Sequence, residues 1–102
     1  MRETAHGLAN SLLASKEVKA PLVVVKKVDK NEVKYVGFVP GLLMQDIENK
    51  DMEVVKEKLT ESAKSFISKM LKEDTPFPFF PSKDEIMVDY PDTVFIKYIK
   101  IK

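Results

Sequence analysis

Apolar residues follow two periods along this chain, and the changes of period divide it into strands and helices. Residues 22–28 (LVVVKKV) and 33–39 (VKYVGFV) are short and rich in β-branched side chains, so both predict strands. The four residues between them, 29–32, favour a turn because Asp and Asn can hydrogen-bond their own backbone. The pattern therefore predicts a hairpin, and residues 42–47 (LLMQDI), after Pro40-Gly41, predict a third strand.

A helical period follows. Apolar residues recur at spacings of three and four over 51–72 and form one stripe: Val55, Leu59, Ala63, Phe66, Ile67 and Met70. Asn49 or Asp51 can cap the start, and Glu53 in the first turn suits the helix dipole. A helix of about 33 Å is long enough to cross the face of a small sheet.

The remaining elements complete an α+β fold. Residues 3–16 predict a short helix at the N-terminus, with Leu8 on its apolar stripe. Residues 85–88 are expected to be extended, 90–93 to form a turn, and 94–101 to form the last strand. We therefore predict a two-layer sandwich, with one long helix packed on one sheet. The opposite face would be covered by the N-terminal helix or by a second subunit, so we expect a homodimer.

The segment D-T-P-F-P-F-F-P-S, residues 74–82, must end the long helix, because Pro76 lacks an N–H and disfavours α geometry at the residue before it. One interpretation is that Phe77, Phe79 or Phe80 closes the end of the core. The other is that one or two of them stay at the surface as an anchor for a partner. Alternation along an extended segment predicts that Phe77 and Phe79 point one way and Phe80 the other.

Composition limits the chemistry. The 102 residues suit one domain, and the absence of cysteine excludes disulfides, cysteine-bound zinc and thiol catalysis. No apolar run approaches the roughly 20 residues that span a membrane, and the N-terminus does not resemble a signal peptide. We therefore expect a cytoplasmic protein.

The net charge of +1 hides an asymmetry, since residues 1–40 carry +3, residues 41–92 carry −5 and residues 93–102 carry +3. A low net charge argues against broad binding of nucleic acids. The split allows one basic and one acidic surface, and ordinary solvated charge explains it equally well.

The order of these features resembles the HicB-like antitoxin family over about residues 21–102, with residues 1–20 as an added helical extension. The resemblance lies in four stretches, which are Y35-V-G-F-V-P-G41, D51-M-E-V-V-K-E-K-L-T-E-S-A63, T75-P-F-P-F-F-P-S82 and D92-T-V-F-I-K-Y-I99. Two family features differ. Leu42 stands where the family has a Cys after Pro-Gly, and Asn49-Lys50-Asp51 replaces its Gly-Asp-Thr.

The resemblance implies a truncated ribonuclease H-like fold of order β-β-β-α-β in a bacterial protein. Family antitoxins bind HicA-like toxins, which are small basic ribonucleases that cut mRNA, and mask their active site. Many also carry a C-terminal DNA-binding module; the sequence ends directly after the last predicted strand, so we expect none here. Some stand-alone members are described as RNA-binding.

Enzymatic chemistry is not expected. Ribonuclease H chemistry needs clustered carboxylates and two metal ions, yet the candidates lie in turns and at a helix start, where acids serve structural purposes: Asp29, Asp46, Glu48 and Asp51. His6 is the only histidine. We predict no catalytic residue, no metal and no cofactor.

Two functions remain open. The first is a protein-binding antitoxin, whose candidate contacts are Phe77, Phe79, Phe80, Glu53, Glu57 and Glu61. The second is an RNA-binding module that uses the sheet, with Lys26, Lys34, Tyr35, Lys97 and Tyr98 as candidates. Strand alternation sets Lys97 and Tyr98 on opposite faces, which favours the first function. Because a net charge of +1 supplies few phosphate contacts, we expect any RNA binding to be weak and salt-dependent.

Overall fold

The computed structural model describes residues 18–101, which form a four-stranded antiparallel sheet and two helices. The strands are β1 (Lys19–Asp29), β2 (Glu32–Phe38), β3 (Ile47–Asn49) and β4 (Thr93–Lys100), and the helices are α1 (Met52–Lys72) and α2 (Lys83–Asp89). The strand order is β3-β2-β1-β4, and each neighbouring pair is antiparallel. The helix expected over residues 3–16 lies outside the described residues.

The predicted hairpin is confirmed. Asp29 pairs with Glu32, so the loop between β1 and β2 contains two residues. Lys30 and Asn31 both have positive φ, at 48° and 69°. Type I′ turns require this geometry, and their twist matches that of the two strands.

Two prolines end the pairing between β1 and β2. Val23 pairs with Phe38, and the same register carried two residues further sets Pro21 opposite Pro40. Neither residue has an N–H, so no backbone donor is lost where the ladder stops. This explains how a proline fits within β1, a central strand of the sheet.

The predicted helix over 51–72 is confirmed, with caps at both ends. Asp51 is the N-cap, and its side chain accepts a hydrogen bond of 2.9 Å from the Glu53 N–H, while Asn49 in turn accepts one from the Asp51 N–H at 2.9 Å. At the other end Asp74 has a φ of 55°, and the Thr75 N–H donates to the Met70 carbonyl at 2.8 Å. This is a Schellman motif, which satisfies carbonyls of the last helical turn.

The main core lies between α1 and one face of the sheet. Alternate residues of β1 face the helix, and the helix presents its apolar stripe to them. The buried members are Ala20, Leu22, Val24, Val39, Leu42, Val55, Leu59, Ala63 and Ile67. The α+β class, with a helix layer packed on a sheet layer, is therefore confirmed.

The opposite face is partly covered by α2, and this corrects the expectation that residues 85–88 are extended. Ser82 and Glu85 form a capping box that starts this helix. Ile86 is fully buried and forms a second cluster with Val23, Val25 and Val36 on the sheet. Cover for this face thus comes from a short helix that the sequence analysis did not predict.

The third strand is shifted from its predicted position. It spans Ile47–Asn49 rather than 42–47. Gly41 has a φ of 96°, and the Leu42 N–H donates to the Val39 carbonyl at 3.1 Å, so the chain makes a tight turn there. Leu42 enters the core and Leu43 points to solvent, so these apolar residues do not form a strand.

The predicted turn at 90–93 and the last strand are confirmed. A β-bulge interrupts β4 at Val94, since Val24 pairs with Phe95 and Val25 pairs with Thr93. Within the described part of the chain, neither helix is long and apolar enough to cross a bilayer.

Candidate partner-binding surface

Residues 73–92, which we call the acidic segment, cross from one face of the sheet to the other. The segment begins at the end of α1, where Phe77 and Phe80 pack against the α1-side core. It ends beyond α2, whose Ile86 packs on the opposite face. The acidic segment therefore wraps one end of the sheet.

Two of the three phenylalanines of this segment are half-buried, and the third is exposed. Phe77 and Phe80 are half-buried, while the Phe79 side chain is 93% exposed. The expectation that at least one closes the core is confirmed. The predicted alternation is wrong, because Phe77 and Phe79 differ in exposure. Residues 75–82 pair with no strand, so nothing imposes strand alternation on them.

The segment is held in place beyond Phe79. The Tyr98 hydroxyl donates a hydrogen bond of 2.7 Å to the Pro81 carbonyl, which ties the segment to β4. Burial raises the pKa of the Tyr98 hydroxyl, and the charge of Glu85 adds to this effect. The capping box at Ser82 follows at once, so Phe79 is presented from a backbone anchored on both sides.

The negative charge of the chain is concentrated in this segment. Residues 41–72 carry equal numbers of lysines and carboxylates, whereas residues 73–92 carry −5. The carboxylates are Glu73, Asp74, Asp84, Glu85, Asp89 and Asp92, and all six residues are exposed. Hydrogen bonds from Ser82 hold the pKa of Glu85 below its ordinary value, so it stays ionised at neutral pH.

The predicted partner contacts Glu53, Glu57 and Glu61 form a ridge on α1, outside the acidic segment. These glutamates are exposed on α1. However, α1 carries five lysines, and Lys56 contacts Glu53 at 3.0 Å. The helix therefore has a net charge of +2, and the ridge does not form an acidic surface with the phenylalanines.

The residues considered for RNA divide between the two sheet faces. Lys26 lies directly opposite Tyr35, and both share the α1 side with Lys97 by strand alternation. Lys34 and Tyr98 lie on the other face, where Tyr98 packs against the α2-side cluster. Lys34 contacts Glu48 at 2.8 Å, and this hydrogen bond raises the pKa of Lys34. No single face of the sheet contains all five residues.

Three of the four carboxylates considered for metal binding have structural positions, and the fourth, Asp46, is exposed. Asp29 flanks the hairpin turn, Glu48 pairs with Lys34 and Asp51 caps α1. Within residues 18–101, no group of three or more His, Asp or Glu side chains could hold a metal ion.

The structure adds exposed apolar residues that the sequence analysis missed. Leu43 is 97% exposed, beside the Pro/Phe stretch, and Val88 on α2 is 80% exposed. Both lie in short apolar runs that predicted strands, and periodicity alone does not tell which of two adjacent apolar residues faces solvent.

No family model, curated protein or solved structure matches this chain. The resemblance to HicB-like antitoxins therefore depends on the order of sequence features alone.

Proposed function

We propose that this chain is a HicB-like antitoxin-type module, which binds a small basic mRNA-cleaving toxin and masks its active site. The observation that carries the proposal is the acidic segment, which combines a net charge of −5 over residues 73–92 with the exposed Phe79. The α+β fold is compatible with the truncated ribonuclease H-like arrangement that this family implies, and a cytoplasmic location would suit an mRNA-cleaving partner.

Charge and aromatic exposure have complementary roles in this proposal. An acidic surface attracts a basic partner, speeds association and excludes acidic competitors. A large aromatic side chain that enters a pocket of the partner contributes more to affinity than the charged rim around it. Phe79 is suited to that role because its neighbours hold the backbone, so little conformational entropy is lost on binding.

The proposed module binds RNA-cutting partners and does not itself cut. We expect the isolated protein to leave RNA and DNA intact in Mg²⁺ or Mn²⁺. Metal-dependent cleavage that disappears in Asp46→Ala would contradict this.

A HicA-like toxin provides the direct test. Calorimetry would measure binding at low and high salt, and a cleavage assay would measure protection of mRNA. Asp89→Lys combined with Asp92→Lys should weaken binding about tenfold or more at low salt. Both residues are exposed, and lysines near the end of α2 suit the helix dipole, so folding should be retained.

The matched control is Glu32→Lys with Glu57→Lys, which makes the same change of charge at two exposed positions outside the acidic segment. We expect this variant to bind within about threefold of the unmodified chain. Equal losses in both variants would assign the effect to net charge alone and overturn the role of the acidic segment. Failure of the unmodified chain to bind or inhibit HicA-like toxins would overturn the proposed function.

A further inference from the structure

A groove runs between the loop after β2, the second half of α1 and the start of the acidic segment. It consists of two adjoining hollows of about 540 and 590 Å³. Leu43, Phe66 and Lys69 line both hollows, so the two form one continuous depression. We propose that this groove takes the apolar side of a basic amphipathic segment of the partner. This inference rests on the proposed function.

The two most exposed large apolar side chains among the described residues are Leu43, which lines the groove, and Phe79, which directly follows a lining residue. Leu43 forms its near wall, and Phe79 follows Pro78, which lines the far wall. Phe66, Met70 and Phe77 line the floor and are half-buried. The second hollow also has polar lining, from Gln45, Glu61, Ser62 and Ser65. An apolar depression with a polar rim and an exposed apolar side chain on its wall is typical of a surface that meets another molecule.

The walls of the groove are fixed before any partner arrives. The buried Leu42 and the tight turn at Gly41 hold the loop that carries Leu43. On the far wall, Pro76 and Pro78 restrict the backbone directly after the Schellman motif of α1. A preformed groove loses little conformational entropy on binding, which favours affinity.

Charge indicates which occupant suits the groove. Its far wall is the start of the acidic segment, whose residues 73–92 carry −5, and Glu73 lies on the border, while Lys69 of α1 lines both hollows. An occupant with apolar side chains on one side and Lys or Arg on the other would satisfy both regions. A second copy of this chain would bring one acidic segment against another, which is electrostatically unfavourable.

The first experiment compares two exposed apolar residues. Leu43→Ser should weaken binding of a HicA-like toxin about tenfold or more, and Phe79→Ser should do the same. Val28→Ser is the control, since Val28 is also exposed but lies near the hairpin turn of β1. It should bind within about twofold of the unmodified chain, and all three should melt at nearly the same temperature. Unchanged toxin binding in Leu43→Ser would overturn the inference and leave the proposed function standing.

A second experiment does not depend on a toxin. The probe is a synthetic amphipathic helix of Leu and Lys, added to protein with labelled methyl groups. Its binding should shift the methyl signals of Leu43 and Met70, and Leu43→Ser should abolish the shift at Met70. No shift, or a shift at Met70 that survives Leu43→Ser, would overturn the inference. The same shifts on concentrating the protein alone would assign the groove to self-association and overturn it too.

Discussion

Gly37 of β2 lies directly beneath α1, where a Cβ atom would stand 2.7 Å from Cγ1 of Val55 and 3.0 Å from Cδ2 of Leu59. Real Cβ atoms do not approach carbon so closely, and both neighbours are fully buried. The distance between the helix and the sheet is therefore set by the absence of a side chain at this position.

Gly37→Ala should lower the free energy of unfolding by about 1–3 kcal/mol, because α1 must move away from the sheet to make room. Urea denaturation measures this change. The Gly37→Ala and Val55→Ala pair provides the control: the double variant should be less destabilised than the two single changes added together, since the smaller residue 55 accepts the new methyl group. Unfolding of Gly37→Ala at the unmodified midpoint would show that α1 adjusts freely.

Alanine substitutions of the half-buried and the exposed phenylalanine should have different effects on stability and on binding. Phe80→Ala removes a half-buried side chain from the core and should cost about 2 kcal/mol of stability. Phe79→Ala should change stability by less than about 0.5 kcal/mol and weaken toxin binding by about 2 kcal/mol. Melting and calorimetry on the same samples check both. A Phe79→Ala protein that unfolds like Phe80→Ala would remove the anchor from the proposed interface.

Acid should weaken the start of α2 through Glu85. Hydrogen bonds from Ser82 keep the pKa of Glu85 in the folded protein below its ordinary value. Its contribution to stability is therefore present above the unfolded pKa of about 4.3 and is lost as pH falls through the lower folded pKa.

The test of this pH dependence compares urea midpoints at neutral pH and at about pH 3. Glu85→Gln cannot titrate, so it should lose less stability on acidification than the unmodified chain. Ser82→Ala removes the hydroxyl that accepts the Glu85 N–H in the capping box, together with the Ser82 side-chain contribution to the lowered pKa of Glu85, and should also reduce the acid sensitivity. Identical pH profiles for all three proteins would exclude Glu85 as the source.

RNA binding should be weak and sensitive to salt. A net charge of +1 supplies few phosphate contacts, and log affinity for single strands falls by about 0.7 per neutralised phosphate for each log unit of salt. Fluorescence anisotropy with a labelled oligonucleotide measures this. Tight binding that persists at high salt and disappears in Tyr35→Ala or Tyr98→Ala would promote the RNA-binding alternative.

The homodimer stays a prediction, and the structure weakens one of the arguments for it. A sheet face without cover would favour pairing with a second subunit, but α2 covers part of that face. What remains is β4, which has one neighbour among the described strands and so presents an edge. Sedimentation at tens of micromolar should show a dimer. A monomer mass that is unchanged by deleting residues 1–16 would contradict this expectation.

The sequence predicts α1 and the hairpin well because each combines a clear period with end signals. Asp51 indicates the start of the helix and Pro76 its end, and the turn between β1 and β2 contains Asn31. By contrast, α2 has seven residues and one buried side chain, Ile86, so it shows little helical periodicity. Ser82 and Glu85 give the S-x-x-E pattern of a capping box, which indicates the start of a helix. The apolar run that follows is too short to favour a helix over an extended segment.

The candidate surface was predictable in part. The phenylalanines indicate the correct segment, but the net charge of residues 41–92 as a whole does not show that the negative charge is concentrated in residues 73–92. The groove could not be predicted, since it joins Leu43 to Phe77 across a turn and a helix. Such proximity depends on the tertiary fold, which local periods do not encode.

The attachment of α2 through Ile86 has a consequence for motion. Ile86 is the one residue of α2 that is buried, so opening of this helix costs less free energy than unfolding the sheet beneath it. Amide hydrogens of α2 should exchange earlier than those of β1. If so, α2 is a separate cooperative unit, and a partner that binds it would slow this exchange while leaving the exchange of β1 unchanged.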